Sequence, residues 1–139
     1  MKKILVSACL LGTNCKYNGS NNLNEKVIEY IKDKEVIPIC PEVLGGLSIP
    51  RTPSEIIGDK VISNNGTDVT KEYNKGAEEV LKLAKELNIE EAILKEKSPS
   101  CGVHKIYDGT FTNTKIDGVG ITTKLLIENN IKVYSEEDI

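Results

Sequence analysis

Apolar residues fall into short runs separated by polar stretches rich in glycine and asparagine. Ile4 to Ser7 is a brief β-branched run bounded by a polar loop, the pattern of a buried strand. Gly12, Asn14, Asn18, Gly19, Ser20 and Asn21 give residues 12–22 a loop composition. Val27, Ile28 and Ile31 then share one face of a helix that Asn24 can cap. Val36 to Ile39 reads as a second strand, and Pro38 within it points to an edge position or a strand end. Pro41, Gly45, Gly46, Pro50 and Pro53 keep residues 41–54 from being helical throughout and mark an ordered loop. Glu55–Ile57 and Lys60–Ile62 flank Gly58-Asp59, a tight-hairpin signal.

The clearest helix runs over about 71–87, with Thr70 as its cap and Ala77, Val80, Leu81, Ala84 and Leu87 on its apolar face. Glu91–Lys95 reads as a third strand. Ile106-Tyr107 and Thr110-Phe111 around Asp108-Gly109 suggest a second hairpin. A helix over about 121–129, burying Leu125 and Leu126, and a last strand from Ile131 to Tyr134 complete the pattern. Alternation of strands and helices predicts an α/β fold. Its sheet is mostly parallel, Rossmann-like, with helices on both faces and short hairpin excursions. The whole of residues 1–139 reads as one domain.

Composition narrows the function classes. With 39% apolar and 28% charged residues, the chain can bury a modest core and is no disordered tail. A net charge of −3 argues against a basic face for duplex nucleic acid. No run of residues is apolar enough for a membrane span. Lys2-Lys3 before a short apolar run resembles an export signal, but the run is too short for one. The expectation is a cytoplasmic protein with reduced thiols.

The cysteines carry the most information. Cys9, Cys40 and Cys101 each follow a predicted strand, and open parallel sheets bind ligands outside the carboxyl ends of their strands. Three thiols distant in sequence can therefore converge. A free cysteine is also commonly a small buried hydrophobe, and the spacing matches neither a zinc knuckle nor a ferredoxin run. Cys15 lies mid-loop and reads as a bystander. His104, the lone histidine, reads as an exposed loop residue. Glu42, two residues after Cys40, is a candidate acid/base, and Ser98 and Ser100 before Cys101 can hydrogen-bond sulfur or substrate. Arg51 is the one arginine, and its Pro-rich loop suggests a fixed anion or substrate contact.

Four ordered blocks resemble the domain-of-unknown-function 523 family. They are Ser7-Ala8-Cys9-Leu10-Leu11-Gly12 with Tyr17 and Gly19, Cys40-Pro41-Glu42-Val43-Leu44-Gly45-Gly46-Leu47 with Pro50-Arg51 and Pro53-Ser54-Glu55, Gly66-Thr67-Asp68-Val69-Thr70 with Gly76-Ala77, and Lys97-Ser98-Pro99-Ser100-Cys101-Gly102 with Ile106-Tyr107-Asp108-Gly109-Thr110-Phe111. Members of this family include thiouracil desulfidases. The resemblance implies a [4Fe–4S] cluster held by Cys9, Cys40 and Cys101, with one iron open to a small thionucleobase-type substrate. It puts the site glutamate at Glu42 and the site serine at Ser98, with Ser100 as the rival. The implied reaction is non-redox desulfuration that releases sulfide to an unspecified acceptor. Two other classes use the same thiols: a cluster-bearing sulfur carrier without turnover, and a zinc-bound domain in which Cys15 completes a Cys₄ site.

Overall fold

The structure, a computed structural model, describes residues 2–139. The apolar runs form a parallel four-stranded sheet of β1 (Lys3–Ser7), β2 (Glu35–Ile39), β5 (Glu91–Leu94) and β8 (Lys132–Ser135). Its order is β2-β1-β5-β8. The edge position of β2 accounts for Pro38, which sits opposite Val6.

Helices cover both faces, as the alternation predicts. Ile4, Val6 and Ile93 pack with Val27 of α1 (Glu25–Tyr30) and with Ile31. Leu5, Ala92 and Leu94 pack on the other face with Val80 and Ala84 of α3 (Thr70–Glu86) and Leu126 of α4 (Ile121–Glu128). Among the described residues no helix is long and apolar enough to cross a membrane.

Local chemistry sets most element ends. Asn24 caps α1, its side chain accepting from Val27 N at 3.1 Å. A single helical turn, α2 (Pro41–Leu44), opens the 41–54 loop, with proline at its first position. The first hairpin forms where expected, β3 (Ser54–Ile57) against β4 (Lys60–Ser63).

Three expectations need correction. Thr70 does not cap α3. Asp68 accepts from Thr70 N at 2.9 Å, and the Thr70 hydroxyl accepts from Val61 N at 2.8 Å, tying the helix to β4. In α4 Leu125 is half-buried, while Thr122 and Thr123 are buried beside Leu126. The second hairpin pairs β6 (Lys105–Tyr107) with β7 (Lys115–Asp117), leaving Thr110 and Phe111 in the connecting loop. Side chains replace the expected ladder there. Asp108 accepts from Thr110 N at 3.0 Å, and Glu55 accepts from Gly109 N at 2.9 Å.

Candidate active site

The sheet order reverses direction between β1 and β5, since the chain passes from β1 to β2 on one side and returns to β5 on the other. Such a reversal opens a crevice beyond the strand ends. Cys9 lies in the tight turn Ala8–Leu11 after β1. Cys40 follows β2 and precedes α2. Cys101 sits in the turn after β5, where Ser98 Oγ accepts from Ser100 N at 3.1 Å and Cys101 N at 3.0 Å. All three line one cavity of about 500 Å³, a size that suits a small ligand. All four cysteines are free thiols.

Cys15 is no bystander in position. It is buried, lines the same cavity, and its backbone oxygen accepts from the Cys40 thiol at 3.8 Å. The neighbouring Cys40 and Cys9 sulfurs, with burial, hold the Cys15 thiol well above the ordinary thiol range. Their counterpart is a Cys40 thiol brought down to about 6 and a Cys9 thiol brought down to about 7, the neighbouring Cys15 being the chief cause in each. Asn22 adds a donor to Cys9, Nδ2 to Sγ at 3.5 Å. Cys101 behaves oppositely, burial pushing it up to about 12. The Ser100 hydroxyl lies 3.5 Å from its sulfur.

Glu42 stands in the first turn of α2 with a different partner on each oxygen. Arg51 Nε donates to Oε1 at 3.0 Å, and Ser100 Oγ donates to Oε2 at 2.9 Å. Ser98 Oγ lies farther from Oε2, at 3.5 Å, and 2.8 Å from Ser100 Oγ. Tyr73 stands nearby; burial, then the neighbouring Glu42 carboxylate, raises the pKa of its hydroxyl. Arg51 does meet a fixed anion, and that anion is Glu42. Its other donors go to Ser48 O at 3.1 Å and Cys15 O at 2.9 Å, so the guanidinium ties the carboxylate to the cysteine loop.

Glu96 was invisible to sequence reading. Its Oε1 accepts from the backbone N–H of Val103 at 2.7 Å, His104 at 2.8 Å, Lys105 at 3.0 Å and Lys97 at 3.3 Å, closing the turn that carries Cys101. Nothing local in the sequence marks Glu96, Tyr73 or Asn22, whose partners are remote. His104 lies outside the cavity lining and pairs with Asp138 at 2.8 Å.

The donor set is soft sulfur with the Asn22 amide aimed at it and the Ser100 hydroxyl beside it, which suits an iron–sulfur group. Among the described residues no three His, Cys, Asp or Glu side chains gather closely enough to hold a single metal ion.

Comparison with known proteins extends this picture. Residues 4–138 match the model of a family described as 2-thiouracil desulfurase. The uncharacterized protein YbbK of Bacillus subtilis (strain 168) is 45% identical over 146 residues, covering 98% of this chain and 97% of that protein. A solved structure described as the [4Fe-4S]-dependent thiouracil desulfidase TudS (DUF523) is similar with a TM-score of 0.93 and 42% identity. The match covers 100% of this chain and 93% of that one.

Proposed function

This chain belongs to the 2-thiouracil desulfurase family, and from that premise we propose that it is a single-domain enzyme that desulfurates a thiolated nucleobase or similar small thioamide. Cys9, Cys40 and Cys101 would hold a [4Fe–4S] cluster between them, leaving one iron without a protein ligand. When bound, such a cluster supplies a soft Lewis acid matched to a thiocarbonyl sulfur. The net reaction exchanges the C=S sulfur for a water oxygen and releases hydrogen sulfide, with no change of oxidation state.

One observation carries the reading. Thiols from three strand ends share a cavity with a carboxylate fixed on both oxygens. A sulfur carrier needs no such carboxylate, and a zinc site needs a tighter gathering of donors than is present among the described residues. Glu42 takes the proton of the attacking water, with Arg51 holding its carboxylate in place. Ser100 is the hydroxyl best placed to pass that proton onward, while Ser98 holds the turn. Cys15 packs beside the Cys9 and Cys40 sulfurs in the same buried cluster. Four free thiols suit a reducing compartment such as the cytoplasm.

Anaerobic reconstitution with iron and sulfide, followed by sulfide-release assays on 2-thiouracil, tests the proposal. The expected result is a brown protein that converts 2-thiouracil to uracil. A reconstituted protein that holds iron but releases no sulfide from any thioamide overturns it.

A further inference from the structure

The cavity has a wall that the acid–base network leaves unused. Tyr107, Phe111 and Asn113 line it, the last two from the loop at 108–114. Phe111 is the one phenylalanine of the chain, and it belongs to none of the three buried apolar clusters. It also adopts φ 57°, a left-handed conformation that is a true outlier for a bulky residue. Asn113 repeats it at φ 59°.

The surroundings hold this conformation firmly. The buried Glu55 accepts from Gly109 N at 2.9 Å and from Phe111 N at 3.3 Å. Gly109 has φ 93°, and a side chain there would press its Cβ to 2.8 Å from Ile56 O, so the loop lies close on β3. The exposed hydroxyls of Thr110, Thr112 and Thr114 link to one another at 2.5 and 2.9 Å. The two residues between them, Phe111 and Asn113, line the cavity. Among the described residues the Asn113 amide has no partner; the loop's side-chain bonds belong to Asp108, Thr110, Thr112 and Thr114.

We propose that this loop is the specificity wall of the site, with Phe111 stacking on the substrate's ring and Asn113 reading its polar edge. The inference rests on the desulfidase reading and names what selects the substrate. A ring thioamide presents a flat apolar face, which an aromatic side chain stacks. Its edge alternates N–H and C=O, and a side-chain amide offers one acceptor and donors to match. A strained, buttressed aromatic outside the core is what a preformed stacking face requires. The preferred substrates are therefore planar heterocycles, with acyclic thioamides poor by comparison.

The test uses the cluster-loaded chain and two variants that keep the left-handed backbone, Phe111→Asn and Asn113→Gly. Uracil binding, which needs no turnover, is measured by titration calorimetry. Rates are measured on 2-thiouracil and thioacetamide. We expect Phe111→Asn to weaken uracil binding about tenfold or more and to lower the 2-thiouracil/thioacetamide ratio of kcat/KM by a similar factor. Asn113→Gly should move both in the same direction by less, with iron content unchanged in each. Uracil binding and a substrate ratio unaltered in both variants overturn the specificity wall, even if sulfide is released. Loss of uracil binding on removing Phe111 in a protein that desulfurates nothing upholds the wall and overturns the desulfidase reading.

Discussion

Glu42 has one oxygen on Arg51 and the other on Ser100, so two separate partners fix its direction. Glu42→Gln preserves shape and removes the base. Sulfide release is expected to fall about 10²–10⁴-fold while iron content, measured by metal analysis, stays at the wild-type level. Arg51→Lys keeps the charge and loses the planar fork that reaches Glu42 and two backbone carbonyls together. It should lower kcat by a smaller factor. Among the cysteines, Cys9→Ser, Cys40→Ser and Cys101→Ser should each abolish iron retention after reconstitution. Cys15→Ser should retain iron, because Cys15 is not among the three proposed ligands. The gathering of Cys9, Cys40 and Cys101 was legible in the sequence because each follows a strand, Cys101 after a short turn, and strand ends could be read from local pattern. The place of Cys15 was not, since its loop is folded back by contacts such as Arg51 to Cys15 O.

At the scale of elements, the short α2 depends on a close approach to α3. A Cβ on Gly45 would strike Glu72 O, and one on Gly76 would strike Pro41 O. Backbone meets backbone at this crossing, which is why both positions are glycine. Gly76→Ala is expected to destabilise the fold by about 1–3 kcal/mol, the usual range for overpacking, read as a lowered midpoint in urea. Because Pro41 and Glu42 ride on α2, the same variant should lower kcat. Long periodic elements such as α3 and the buried strands were readable, since burial imposes its period directly on the residues. The partner of β6 was not. Gly109 and Phe111 are held by Glu55, a residue of the other hairpin, and no local turn signal reports that contact.

The molecule as a whole should lose stability in acid. Burial alone would raise Glu96, but the backbone N–H groups of Lys105, His104, Val103 and Lys97 together bring it below its ordinary value. A carboxylate lowered in the folded state contributes stability above its unfolded pKa of about 4.3. That contribution disappears as pH falls through the folded value. Urea midpoints measured from neutral pH downward should therefore drop below about pH 4, and Glu96→Gln should flatten that decline while lowering the midpoint at neutrality. His104 works in the opposite sense. Asp138 raises its pKa, so its contribution is present in mild acid and fades as pH rises through the raised value; its exposure keeps the effect small. The adjacent strands β2, β1 and β5 bring residues 9, 40 and 101 to one end of the folded sheet. An unfolded chain offers those thiols scattered, so a group that bridges them binds the folded form and holds it there by mass action. Chelating iron from the loaded protein should hasten its digestion by a protease. In a cell short of iron, such a chain would be degraded sooner, and metal supply would set its lifetime along with its activity.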